Sequence, residues 1–137
     1  HGDIKPSNFM LDNNGHVVVI DFGTAKPIGG WFTESSPFSL NEERTASTEY
    51  DLVCLGATVA SVQHAICIDQ HSSRSSVLSA LQAVDGERSL ASLFAEECLK
   101  LTATIETVKL VVASLFTDEL KSLWPTVVEG DNGKGKQ

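Results

Sequence analysis

The chain has 137 residues, 42% of them hydrophobic and 20% charged, with a formal net charge of -8. That length supports one hydrophobic core and leaves no room for a second domain. The acidic balance argues against nucleic acid as a partner, because phosphate binding rests on concentrated lysine and arginine; no apolar run reaches membrane-spanning length and no basic-then-apolar leader opens the chain, so a soluble, intracellular protein is expected.

The opening residues, His1-Gly2-Asp3-Ile4-Lys5-Pro6-Ser7-Asn8, bring together a carboxylate, a lysine and an amide. Phe9-Met10-Leu11 then reads as a strand, Asp12-Asn13-Asn14-Gly15 as a tight turn, and Val17-Val18-Val19-Ile20 as a returning strand that leads into Asp21-Phe22-Gly23. Such a hairpin sets Asn8 and Asp21 at neighbouring ends, the geometry that a shared metal site requires. Phosphoryl transfer depends on positioning and on neutralising oxygen charge, so it needs a carboxylate near the attacking hydroxyl and oxygen ligands for magnesium. Both are present at suitable spacings.

Pro27, Gly29-Gly30 and Ser35-Ser36-Pro37 punctuate residues 24–48, which read as loop without sustained periodicity. A helix begins near Tyr50, and the run from Ala57 to Ile68 is apolar almost all round, as a core helix should be. Ser72 to Val84 carries Val77, Leu78 and Leu81 at helical spacing behind a serine-rich start. Leu90, Leu93, Phe94 and Leu101 mark a further helix, and Val108, Val111, Val112, Leu115 and Phe116 another. Leu120, Leu123 and Trp124 extend that helix until Pro125 stops it, and residues 126–137 read as a disordered tail. The fold class expected is therefore mainly α with one short β-hairpin. Cys54, Cys67 and Cys98 are odd in number and lie in apolar stretches, which suggests small core residues in a reducing compartment rather than a metal site. His64 and His71 read as surface or cap residues.

D-x-K-x-x-N at Asp3, Lys5 and Asn8, the hairpin and then Asp21-Phe22-Gly23 resemble, in order and spacing, the catalytic and metal loops of eukaryotic protein kinases. Asp51-Leu52-Val53-Cys54-Leu55-Gly56 is similar to the D-x-x-x-x-G that opens that family's buried central helix. The resemblance implies a kinase C-terminal lobe over residues 1–125, with the N-terminal lobe absent from this chain. It implies ATP and Mg2+ as cofactors and a serine or threonine of a protein as substrate, Lys5 pointing away from the tyrosine kinases. On the same basis Asp3 and Lys5 are catalytic, Asp3 accepting the hydroxyl proton while Lys5 sits beside the transferred phosphate. Asn8 and Asp21 hold the metal ions, Met10 and Ile20 contribute to the adenine floor, and Phe22 packs under the helix that carries the metal-loop geometry. Asp51 accepts hydrogen bonds from the backbone near His1 and Gly2. Residues 24–48 become the activation segment, with Glu42, Glu43 and Glu49 near its substrate side, where they read mainly as a solvated acidic face.

Three departures from the family pattern carry information of their own. Gly2 stands where many kinases have the arginine that receives a phosphorylated activation segment, so a phosphate on Thr33 or Ser35 loses its usual partner. The family's A-P-E glutamate and its late arginine, normally an ion pair, align with Phe38 of Ser36-Pro37-Phe38 and with Ile105, which predicts an apolar contact between those two side chains. No glycine-rich phosphate loop, V-A-I-K lysine or partner glutamate helix occurs, so the upper wall of an ATP site is missing and this chain alone should be silent. Two alternatives stay open: a pseudokinase or regulatory binding module, and a small-molecule kinase of the aminoglycoside or choline type, which Lys5 and the D-x-x-x-x-G helix oppose.

Overall fold

The computed structural model describes residues 1–84 and 89–115. These form a mainly helical structure with one two-stranded antiparallel sheet, β1 (Phe9–Leu11) and β2 (Val17–Val19), followed by four helices. The helices are α1 (Thr48–His64), α2 (Arg74–Gln82), α3 (Leu90–Leu99) and α4 (Ile105–Leu115). Short 3-10 turns at Pro6–Asn8 and Pro37–Ser39 each begin at a proline, whose fixed φ suits a first helical position.

β1 and β2 pair with Phe9 opposite Val19, Met10 opposite Val18 and Leu11 opposite Val17. The turn between them is fastened by Asp12, whose Oδ1 accepts from the backbone N–H of Asn14 and of His16. Those bonds, that from His16 foremost, hold the exposed Asp12 carboxyl below its ordinary pKa. Ile20 lies just past the strand, yet its N–H still reaches the Asn8 carbonyl at 2.8 Å and keeps the two chain ends together.

Ser47 caps α1 by accepting from the Tyr50 N–H, and Glu49 and Asp51 place negative charge on its first turn. The helix stops sooner than its apolar run suggests. Ala65 adopts the left-handed region at φ 51°, so residues 65–68 leave the helix although Ile66 and Ile68 still pack on the core. α1 is the centre of that core: Val53, Ala57 and Ala60 lie with Leu40, Val77, Leu81, Ala95 and Leu99. A second cluster joins Leu52 to Cys98 and Val108.

Close approach of α1 and α3 requires Gly56. A Cβ there would lie 2.9 Å from Cys98 Cβ and Leu99 Cγ and 3.1 Å from the Ala95 carbonyl oxygen. Alanine gains about 1 kcal/mol of helix propensity over glycine, while overpacking a tight core costs about 1–3 kcal/mol. Packing should win, so Gly56→Ala is expected to lower the denaturation midpoint; a raised midpoint would show that the helices separate without cost.

α2 begins at a capping box in which Ser73 and Ser76 satisfy each other's backbone N–H, and it buries Val77 and Leu81 as the spacing predicts. α3 differs from expectation. Its buried face is Ser92, Ala95, Glu96, Cys98 and Leu99, whereas Leu90 is exposed and Leu101, beyond the helix, is 89% exposed. Small residues face α1 because the axes meet at Gly56, so the leucine stripe marks the helix without marking its core face. On α4, Val108 is buried and Val112 packs beside it. The expected extension through Leu120, Leu123 and Trp124 to Pro125, and the tail over 126–137, lie outside the described residues.

Cys54 and Cys98 are core residues as expected, but Cys67 is exposed on the stretch after α1. Burial pushes the Cys98 thiol up to about 12 and raises the Cys54 thiol as well. Among the described residues no helix is long and apolar enough to cross a membrane, and no cluster of histidine, cysteine, aspartate or glutamate is arranged to hold a metal ion.

Candidate active site around Asp3 and Asp21

Asp51, at the start of α1, ties the first residues to the core. Its Oδ1 accepts from the Gly2 N–H at 2.9 Å, and its Oδ2 lies 2.8 Å from the His1 backbone nitrogen. These are the two backbone groups expected of it. The His1 ring forms a second bridge: Nδ1 accepts from the Asp3 N–H at 3.1 Å and Nε2 reaches the Ile20 carbonyl at 2.9 Å. That pattern fits a neutral imidazole protonated on Nε2. Thr24 adds a third tie, its hydroxyl donating to the His1 carbonyl at 3.3 Å.

On this frame Asp3 is half-buried and its Oδ2 meets Lys5 Nζ at 3.1 Å. Asn8, 6% exposed, donates from Nδ2 to the Asp3 carbonyl at 2.8 Å and to Asp3 Oδ2 at 3.1 Å. Asp3, Lys5 and Asn8 are thus assembled into one network. The amide nitrogen is committed inward, which leaves the Asn8 side-chain oxygen available as a ligand. Asp21 follows Ile20, whose N–H is bonded to the Asn8 backbone, so the hairpin brings the two candidate metal ligands to the same end. Asp21 is held at φ 61° and its Oδ1 accepts from the Gly23 N–H at 3.2 Å. Aspartate tolerates the left-handed region because its short side chain can hydrogen-bond locally, as it does here.

A neutral amide oxygen and a carboxylate are hard oxygen donors that suit magnesium. On the Asp3 and Lys5 side a polar hollow of about 110 Å³ is lined by Gly2, Asp3, Lys5, Thr24, Glu34, Ser35 and Ser36, and neither Asn8 nor Asp21 lines it. A substrate hydroxyl entering it would meet the Asp3 carboxylate and the Lys5 ammonium together.

The remaining expectations divide. Met10 is 57% exposed and Ile20 half-buried on the hairpin; the cross-strand pairs Met10–Val18 and Leu11–Val17 leave apolar side chains exposed on both faces of the sheet. Among the described residues Phe22 packs under no helix: it is 63% exposed, with its ring edge-on to His1 at 4.8 Å. Phe38 packs on the core beside Leu40, but Ile105 is 40% exposed at the start of α4 and belongs to none of the described clusters. The two do not share a buried apolar site of the kind expected in place of an ion pair.

An ion pair does fasten this region, between Glu42, expected on a solvated acidic face, and Arg74, to which the sequence assigned no role. Arg74 Nε meets Glu42 Oε1 at 2.5 Å, and Arg74 Nη1 donates to the Lys100 carbonyl at 3.1 Å. Glu42 is thus committed to α2 rather than to a solvated face. The available signal was a lone arginine on the first turn of a serine-capped helix, with no sequence pattern to select its partner. His64, read as a surface or cap residue, is half-buried and bonds the buried Ser92 at the start of α3, whereas His71 is exposed.

Comparison with models of protein families, with curated proteins and with solved structures finds no match to this chain.

Proposed function

We propose that the chain is the C-terminal lobe of an ATP-dependent serine/threonine protein kinase, acting in a protein that also carries an N-terminal lobe. The observation that carries this reading is the network of Asp3, Lys5 and Asn8, joined through the Ile20 and Asn8 backbones to Asp21 and anchored on Asp51. In this mechanism Asp3 orients the acceptor hydroxyl in the hollow and takes its proton. Lys5, held at 3.1 Å, stays beside the oxygen charge that develops during transfer. Asn8 and Asp21 are the residues that would hold magnesium, which would offset the charge of the nucleotide phosphates. Met10 and Ile20 supply a floor for the adenine, and the exposed apolar hairpin suits the face that a second lobe would cover. The substrate is a protein serine or threonine, the product its phosphate ester, and the setting intracellular.

Titration of the two-lobed protein with manganese-ADP, followed by paramagnetic broadening of its amide resonances, tests the assigned ligands. Saturable broadening centred on Asn8 and Asp21 is expected. Broadening centred on Glu42, Glu43 and Glu49 instead, or none at millimolar nucleotide, would contradict the assignment.

A further inference from the structure

Gly2 is buried at φ +84°, and a Cβ placed on it would stand 2.4 Å from Phe32 Cε1 and 2.7 Å from Cζ. No L side chain fits both that conformation and that space. The ring occupying the space comes from the 24–48 segment, which is more ordered than its sequence suggests. The Phe32 N–H donates to the Arg44 carbonyl at 2.8 Å, the Ala46 N–H to the Gly30 carbonyl at 2.7 Å and the Gly29 N–H to the Ala46 carbonyl at 2.8 Å. Trp31 pairs with Thr45 as an isolated antiparallel bridge. The strap so formed presents Phe32, 3% exposed, to a cluster of Ala46, Tyr50, Cys54 and Ile4, with the Tyr50 ring 4.8 Å away.

Phe32 therefore meets the Asp3 loop on the Gly2 backbone, and Ile4, just after Asp3, packs against the cluster to which Phe32 belongs. Of the cationic groups nearby, Arg44 Nη1 donates to the Thr33 carbonyl at 2.9 Å, Lys5 is paired with Asp3, and Lys26 lines a small hollow with Phe32 and Thr33. The ring of Phe32 on Gly2 is nonetheless an aromatic contact that needs no phosphate to form.

We propose that Phe32 is a positioning residue for the phosphoryl transfer proposed above, its ring on Gly2 holding the Asp3 loop in working geometry with no phosphate on residues 24–48. The proposal rests on that reading for its effect on rate, and on the geometry alone for its effect on order.

Two measurements on Phe32→Ala and Phe32→Leu separate the claims. In hydrogen exchange on the 137-residue chain, Phe32→Ala should reduce protection at residues 29–32, 44–46 and Gly2 by about tenfold or more while α1 to α3 stay near wild type. Should the alanine variant fail to fold, Phe32→Leu, which keeps apolar bulk, is read in its place. In the two-lobed protein, Phe32→Ala should lower kcat about tenfold or more with KM for ATP unchanged, Phe32→Leu should recover part of the loss, and phosphatase treatment of the wild type should leave kcat within about twofold. Unchanged exchange at Gly2 and residues 29–32 overturns the proposal, as does unchanged kcat or a wild-type rate that collapses after phosphatase treatment. A wild-type protein that transfers no phosphate refutes the kinase reading instead, and the exchange data then decide whether Phe32 orders the loop.

Discussion

Asp3→Asn is expected to lower turnover of the two-lobed protein by about 10²–10⁴-fold, the range supplied by a positioned general base. The substitution keeps the side chain's size and removes its charge and basicity, so the loop should persist. Asn8 retains its 2.8 Å bond to the Asp3 carbonyl, and the Asp3 N–H keeps its acceptor on His1. Because Asp3 acts on the hydroxyl and not on the nucleotide, KM for ATP should stay near wild type while kcat falls. Steady-state kinetics on serine and threonine peptides separate the two constants. Undiminished kcat would remove Asp3 from the role; equal losses in kcat and nucleotide affinity would instead indicate a collapsed loop.

The second large effect concerns stability. Asp51→Ala strips the acceptor from the Gly2 N–H and from the His1 backbone nitrogen, and each polar group left unsatisfied away from water costs about 1–3 kcal/mol. It also removes a negative charge from the first turn of α1, worth about 0.3–1 kcal/mol at a helix N-terminus. Asp51→Asn should cost less, since one side-chain oxygen still accepts. Denaturant unfolding of the chain, with exposed Glu49→Ala as control, measures the difference. A midpoint for Asp51→Ala no lower than the control's would mean that the Asp3 loop is held by Phe32 and His1 without help from α1.

The candidate site was legible in the sequence where its residues are local. Asp3, Lys5 and Asn8 lie within one turn of chain, and a short hairpin with an aspartate-bearing turn can only return Asp21 toward its start. The link to Asp51 spans 48 residues from Asp3, yet it was also expected, because a recurring pattern and not spacing pointed to it. Relations set by tertiary packing were not legible. Phe32 is one aromatic in a stretch rich in glycine, proline and serine, and only its contact with a left-handed glycine gives it meaning. Arg74 and Glu42 are 32 positions apart on elements whose mutual placement no local pattern encodes. The four helices lie where apolar spacing expected them, although α1 ends before Ile68 and Leu101 falls beyond α3; their buried faces were less legible. The α1–α3 interface is built on Gly56, Ala95 and Cys98, and small residues leave a weaker periodic signal than the exposed Leu90 and Leu101. Where α1 ends depends on the left-handed Ala65, in a run whose apolar composition gives no stop signal.

The most direct measurement is transfer of labelled γ-phosphate from magnesium-ATP by the two-lobed protein, with phosphoamino-acid analysis of the product. Phosphoserine or phosphothreonine on a protein substrate, lost in Asp3→Asn and on chelation of magnesium, is the predicted result. Nucleotide binding with no transfer, or phosphate found only on a small-molecule alcohol, would contradict the assignment of Asp3, Lys5, Asn8 and Asp21 to a protein kinase centre.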